Sequence, residues 1–339
     1  MILDRKFHPV GQGLFCTERF KVSEDDEINI IYDCGTLNSQ ALIDEAIKNE
    51  FGPQAVEKKV DIDFMFISHF HADHISGLDT LLKYCNIKKY VIPVLSTERI
   101  VEAYIFNIIH GSAANRNLIN IVELSSDQVL VIDENSEINI HPSNLNDWLF
   151  LPYQPTGVIS HQLEEKMKKA GFSILWDAFN KKDFEQVDSL IEQIQSNKQF
   201  EKLKDVYNKS YGGHHSYMMT LYSGYLIPQR DLDERNALYC GDYEAKDSQS
   251  VNNLTTPLRR KWPKIGTLQV PHHGSKNNNC QDLYDFERHC IISYGNSNFK
   301  HPHIETIQYI LNVQKDKALK TLHLVYSNPI SIYKQHLNI

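Results

Sequence analysis

The sequence predicts an α/β fold, in the mixed α+β sense, as one domain over residues 1–339. Two observations carry this. Apolar runs of strand length alternate with stretches of helical spacing along the chain. Several of those runs also stop at polar groups: Asp33, His69, Asp242 and His272 each follow a strand-like segment. Open sheets place their sites at strand ends, where loops aim side chains without disturbing the core. A chain that is 41% hydrophobic and 23% charged has the means to bury a core. A net charge of −8 argues against a surface broadly built for nucleic acid, since the phosphate backbone rewards lysine and arginine clusters. No stretch approaches the ~18 apolar residues of a membrane span. The segment from Met1 to Phe7 lacks the apolar core of a signal peptide. Six cysteines lie singly with no CxxC pair, which predicts free thiols and a cytoplasmic protein.

The first sixty residues read as β-rich. Phe7 to Phe15 holds a Gly11-Gln12-Gly13 turn, and Ile28 to Tyr32 is a strand ending in Asp33-Cys34-Gly35. A helix runs from about Ser39 to Asn49, and one strand covers Asp61–Ile67. A helix over Leu78–Tyr84 and a strand over Tyr90–Val94 follow. Two insertions break the rhythm, 98–118 and 141–211. The second is largely helical, because Phe184, Val187, Ile191 and Ile194 keep helical spacing, as do Phe200, Leu203 and Val206. That block reads as a helical pair on the core or as a lid over a cleft. Strands then cover His215–Tyr222, Ala237–Cys240, Thr267–Val270 and Cys290–Ser293.

The chemistry concentrates in His69-Phe70-His71-Ala72-Asp73-His74. Imidazole and carboxylate donors suit zinc or manganese. His69 and His71, two apart, can converge on one ion, while Asp73 and His74 can face a second. Asp242, just after a strand, suits a bridging carboxylate, and His273 can complete the second site. Two ions about 3.5–4 Å apart activate a shared water and clamp both the attacked and the leaving oxygen. The expected cofactors are thus two divalent ions, Zn²⁺ first and Mn²⁺ second.

This pattern resembles the metallo-β-lactamase superfamily of metal-dependent hydrolases. Its HxHxDH signature stands here as His69, His71, Asp73 and His74. The resemblance is nearest to the hydrolase domain of the ComEC/Rec2 competence proteins. That branch carries a VGQG turn (Val10–Gly13), an HHGS segment (His272–Ser275, then Lys276), and Asn298 followed by His301-Pro302-His303. The landmarks run in order from residue 10 to about 303 but leave about 98–210 uncovered. The resemblance implies a four-layer αββα sandwich with the metals at one edge. It also implies that one histidine of the 272–273 pair ligates and the other faces substrate; His273 is the expected ligand and His272 the phosphate contact. The superfamily usually gives the first metal a third histidine. Here that region reads Gly212-Gly213-His214-His215, and Gly213 cannot ligate, so His215 or His214 serves if the register shifts.

Asp33 fits a buried carboxylate that hydrogen-bonds the histidine loop better than a direct ligand. Asp73, His272 and His301 are the expected catalytic groups, and Lys276 and Asn298 the expected substrate contacts. For His301 the alternative is a turn cap, and for Lys276 an ordinary surface lysine. The basic run Arg259, Arg260, Lys261 and Lys264 reads as a solvated loop or as a contact for an anionic substrate. His8, His110, His141, His161, His289, His323 and His336 show no spacing logic. The expected activity is a phosphodiesterase or nuclease whose partner is an anionic phosphodiester and not a membrane. Hydrolysis of a lactone, thioester or β-lactam is the alternative, and a metal-stabilised interaction protein a third.

Overall fold

A computed structural model describes every residue except 25, 56–57, 135, 137, 146, 156–161, 198, 212–217, 228–232, 287, 296–299 and 314–321. The chain opens with an antiparallel meander, β1 (Ile2–Phe7), β2 (Phe15–Lys21) and β3 (Glu27–Cys34). Helix α1 (Gln40–Phe51) follows, capped by the Ser39 hydroxyl accepting from the Ala41 N–H. Its Ile43, Ile47 and Phe51 recur every four residues and bury one face. Next come β4 (Val60–Ile62), β5 (Phe64–Phe66), α2 (Ala72–Ile75), α3 (Leu78–Tyr84), β6 (Cys85–Ile87) and β7 (Tyr90–Pro93). The strand expected over Asp61–Ile67 is two strands: β4 pairs only with β6 in a small sheet, while β5 joins the large one. Asp63 separates them, its carboxylate accepting from the Asn29 N–H and from Lys88.

The range 98–118 is helical, lying in α4 (Thr97–Ile109) and α5 (Asn115–Val122). Strands β8 (Val129–Ile132) and β9 (Trp148–Tyr153) follow, so β9 falls inside the expected 141–211 insertion yet is a sheet strand. The helical block proper is α6 (Gln162–Lys169), α7 (Ser173–Asn180), α8 (Phe184–Ser196) and α9 (Phe200–Tyr211). The chain ends with β10 (Thr220–Tyr225), β11 (Asp233–Tyr239), α10 (Ser248–Thr255), β12 (Ile265–Gln269), β13 (His289–Ser293), α11 (Ile304–Val313), β14 (Leu322–Val325) and β15 (Tyr333–Asn338). The strand expected from His215 begins at Thr220; residues 212–217 lie outside the described residues.

The strands form two large sheets, ordered β15-β1-β2-β3-β5-β7-β8 and β14-β13-β12-β11-β10-β9. They pack face to face with helices outside, an αββα sandwich. Strand alternation shows the layering. On β3, Ile30 and Tyr32 face the other sheet while Ile31 joins the helix-covered side. On β13, Ile291 points inward while Cys290 and Ile292 point out. The inner layer is aromatic: Phe20 meets Trp148 edge-on at 5.2 Å, and Tyr32 stacks on Tyr239 at 4.9 Å. Fully buried Arg5 crosses that layer, donating to Glu18 at 2.7 Å, to Gln335 at 2.9 Å and to the Glu234 and Arg235 carbonyls. Removing either charge of the Arg5–Glu18 pair costs roughly 3–5 kcal/mol, because the other charge stays buried. All six cysteines are free. No helix among the described residues is long and apolar enough to cross a membrane.

Strands β3, β5, β11 and β12 all deliver their C-terminal ends to one edge of the sandwich, where the histidine-rich segments gather.

Candidate metal centre

Asp33, at the end of β3, sits at φ +56°, a left-handed conformation that non-glycine residues rarely adopt. It grips the histidine loop at both ends. Its Oδ1 accepts from the Ser68 N–H, and its Oδ2 accepts from the Ser68 hydroxyl and from His74 Nδ1, each at 2.7 Å. A His74 that donates from Nδ1 offers Nε2 as its acceptor. That Nε2 lies 3.3 Å from Asp242 Oδ1 and 3.8 Å from Asp73 Oδ2. His273 is held the same way. Its Nδ1 bonds to the Ser293 carbonyl at 2.9 Å, and its Nε2 is 3.3 Å from Asp73 and 3.7 Å from Asp242. His69 Nδ1 is 3.0 Å from the Ser68 hydroxyl, with Nε2 4.0 Å from Asp242 Oδ2. On His71 the nitrogens exchange roles: Nε2 is 2.8 Å from Glu102 Oε1 on α4.

The glycine-rich landmarks lock these loops together. The Leu14 N–H after the VGQG turn donates to the Asp73 carbonyl, and the Ser293 hydroxyl donates to the Gly13 carbonyl. Gly241 sits at φ +54°, and a Cβ there would lie 2.7 Å from the Ser68 Cβ, so only glycine lets Asp242 approach the histidine loop. Gln269 Oε1 accepts from both the Cys240 and Gly241 N–H groups, and the His272 N–H donates to the Gly241 carbonyl. His272 and His273 both take positive φ, +49° and +53°, a strain this network over-determines.

Two donor groups result. Asp73, His74, Asp242 and His273 form one; His69, His71 and Asp73 form the other, and all six residues are buried. Asp73 therefore serves both groups instead of the second alone. Asp73 Oδ1, His74 Nε2 and Asp242 Oδ1 are buried without a hydrogen-bond partner among the described residues. His74 Nε2 and Asp242 Oδ1 come close without bonding, as donors aimed at a common point do. Electrostatics point the same way. Burial raises the Asp73 carboxyl, but His74 and His273 outweigh it and hold it at about 2. Burial likewise opposes ionisation of Asp242, and His272, His74 and His273 drive it well below the usual range. Burial lowers His74, yet Asp242, Asp33 and Asp73 raise it. The pocket holds carboxylates ionised and favours positive charge. The donor set fits two divalent cations with nitrogen and oxygen ligands.

Above this floor opens a cavity of about 540 Å³. His272 and His301 stand at its rim, His301 5.7 Å ring to ring from His272 and 6.3 Å from His273. Burial, with His273 and His303 beside it, pushes His301 down to about 4. Phe106 and Ile109 of α4 and Tyr207 of α9 form a side wall, and Phe106 stacks on His71 at 3.7 Å. The structure does not bring every expected residue here. Lys276 pairs with Glu305 at 3.1 Å on the surface and is absent from the described lining. The basic run 259–264 precedes β12, at the strand end opposite His272, where Lys261 donates to the Leu226 carbonyl. Asn298, His214 and His215 lie outside the described residues. His110, without apparent role in the sequence, lines the cavity. Ser68, Glu102, Phe106 and Tyr207 are the contributors that the motifs do not mark. Glu102, Phe106 and His110 share the four-residue spacing of a helix face, the one signal in the sequence that could have found them.

A family model described as the metallo-beta-lactamase superfamily matches residues 22–161, a span that includes the histidine loop. The αββα layering seen here is the architecture that the resemblance to that superfamily implies. Among solved structures, the chain is similar to a subclass B3 metallo-beta-lactamase from a soil metagenome library, at 8% identity over 80% of this chain and 81% of that one, TM-score 0.34. A putative metallo-beta-lactamase from Thermotoga maritima is 10% identical over 77% and 92%, TM-score 0.36. A chemotaxis sensor described as a peroxy diiron species is 11% identical over 96% and 82%, TM-score 0.31. No curated protein matches the chain.

Proposed function

We propose that this protein is a metal-dependent hydrolase that cleaves phosphodiesters, close in design to the ComEC/Rec2-type hydrolase domain. Asp73, His74, Asp242 and His273 would hold one divalent ion, and His69, His71 and Asp73 the other, with His215 as a further ligand to the latter. Ions bound there supply an activated water and polarise the bond under attack. The observation that carries the phosphodiester reading is the placement of His272 and His301. They add two imidazoles at the rim of the cavity, beyond the donor groups, and His272 Nε2 is 3.9 Å from Asp242 Oδ2. Two N–H donors beside a metal floor suit the non-bridging oxygens of a phosphate, and stabilising their charge is where such a site gains rate. The proton given up by the attacking water would pass through Asp73, which is held ionised and can accept it, to the departing alkoxide oxygen. Asp33 holds the loop and does not ligate.

A second reading keeps the site and changes the bond. Lys276 is tied to Glu305, and Leu37, Phe106 and Ile109 give the cavity an apolar side, which suits a lactone, thioester or β-lactam. The test is turnover of bis-p-nitrophenyl phosphate, single-stranded DNA, cyclic nucleotides and a lactone under Zn²⁺ and Mn²⁺, with Asp73→Ala and His69→Ala as controls. Phosphodiesters cleaved only by the unsubstituted protein support the first reading. Intact phosphodiesters with lactone turnover move the assignment to the second. No turnover of any substrate leaves the metal-stabilised interaction protein.

A further inference from the structure

Helix α4 does more than close the side of the cavity. Glu102 is nearly buried, and its Oε1 receives two groups. His71 Nε2 lies 2.8 Å away, and the Tyr207 hydroxyl of α9 donates from 2.9 Å. The first comes from the histidine loop, the second from a helix 105 residues further along the chain. Four residues on, Phe106 lays its ring flat on His71, with an interplanar angle of 6°. One face of α4 thus fixes His71 at its edge and across its plane. An imidazole whose Nε2–H is donated to a carboxylate has Nδ1 as its basic nitrogen, so the Glu102 bond selects which nitrogen can ligate. Further bonds run from the same helix into the α6–α9 block. The Leu163 N–H meets Glu98 at 3.4 Å, the Thr97 hydroxyl donates to Asn180 at 2.8 Å, and Tyr104 donates to Asp188.

We propose that Glu102 is a positioning residue for His71 in the first ion site, and that through Tyr207 it ties docking of the α6–α9 block to filling of that site. The proposal rests on the metal reading of the centre. Ligand orientation and block docking share one acceptor atom, so each stabilises the other. By linkage, an ion that favours the oriented His71 also favours the docked α9, and the coupling runs equally in both directions.

The test uses the full chain stripped of metal. Zn²⁺ is titrated against a chromophoric chelator, Co²⁺ is followed by its visible absorption, and amide hydrogen exchange is read over α9 with and without Zn²⁺. Glu102→Ala is expected to weaken one of the two ions by about 10–100-fold and to alter the cobalt bands of that site alone. Glu102→Gln is expected to recover most of the affinity, because its amide oxygen still accepts from His71. Tyr207→Phe is expected to bind both ions, one of them a few-fold more weakly, while losing the protection that Zn²⁺ gives α9 in the unsubstituted protein. If Glu102→Ala fails to fold, Glu102→Met, which keeps the volume but removes the carboxylate acceptor, carries the positioning test by the same criteria, and Tyr207→Phe carries the coupling. Wild-type affinity and an unchanged cobalt spectrum in Glu102→Ala overturn the positioning role. Equal Zn²⁺ protection of α9 in Tyr207→Phe overturns the coupling. An unsubstituted protein that binds neither Zn²⁺ nor Co²⁺ overturns the metal reading itself, a result distinct from both.

Discussion

The floor of the cavity takes its side chains from strand-end loops, whereas its wall takes them from α4 and α9. The floor residues are packed within loops of two sheets, and three of its four imidazoles have a second tie there: Asp33 for His74, Ser293 for His273, Ser68 for His69. The wall rests on longer reach. One carboxylate on α4 joins His71 to Tyr207, and a single ring covers His71. The floor spends backbone strain and glycine to bring donors close. The wall uses ordinary helix packing. Losses at the floor should therefore be chemical and large, and losses at the wall graded, reaching the metal only through the Glu102–His71 bond and otherwise concerned with substrate.

Asp242→Ala is the strongest test of that contrast. It removes the carboxylate that faces His69, His74, His272 and His273. Losing several kcal/mol of metal-assisted stabilisation predicts a fall of about 1000-fold in turnover, together with lost metal content measured by elemental analysis. A variant that keeps both ions and its rate would break the distinction between floor and wall.

Gly241→Ala probes the same floor through the backbone. A methyl group at φ +54°, 2.7 Å from the Ser68 Cβ, should lower unfolding stability by about 2–3 kcal/mol. Denaturant unfolding checks it; Gly111→Ala, at φ +66° with nothing near its Cβ, should cost less.

His8, which leads into the VGQG turn, gives a pH signature separate from the metal. It is buried, stacks on Phe15 at 4.2 Å and bonds Thr17 at 3.0 Å. Burial pushes it down to about 4, against an ordinary value of 6.5. Between those values the unfolded chain binds the proton and the folded protein does not. Stability from this group is therefore full above pH 6.5 and is lost as pH falls toward 4, by up to about 3 kcal/mol. Unfolding measured from pH 7 to 4.5 should show a smaller slope in His8→Gln.

The wall should yield the smallest effect. Phe106→Ala removes the ring over His71 and part of the apolar side of the cavity. About 1–2 kcal/mol of lost stacking and burial predicts a rise of about five- to thirty-fold in KM with little change in metal content. A fall in kcat with unchanged KM would move Phe106 into the chemistry.

The chain by itself determined the alternation of strands and helices and the residues of the floor. Those residues sit in short motifs whose spacing is fixed by the backbone: His69 to His74 spans one loop, and His272-His273 one turn. Even Asp33 was legible, as a carboxylate at a strand end that needed a partner. Only the tertiary structure decided the rest. The segment expected as one strand over Asp61–Ile67 splits between two sheets at Asp63, and β9 leaves the helical block to pair with β10. Asp73 serves both donor groups, Lys276 turns to Glu305, and Glu102 finds His71 from one side and Tyr207 from the other. These pairings join segments tens to hundreds of residues apart. They are chosen by which faces of helices and sheets bury together, and local spacing carries no record of that choice.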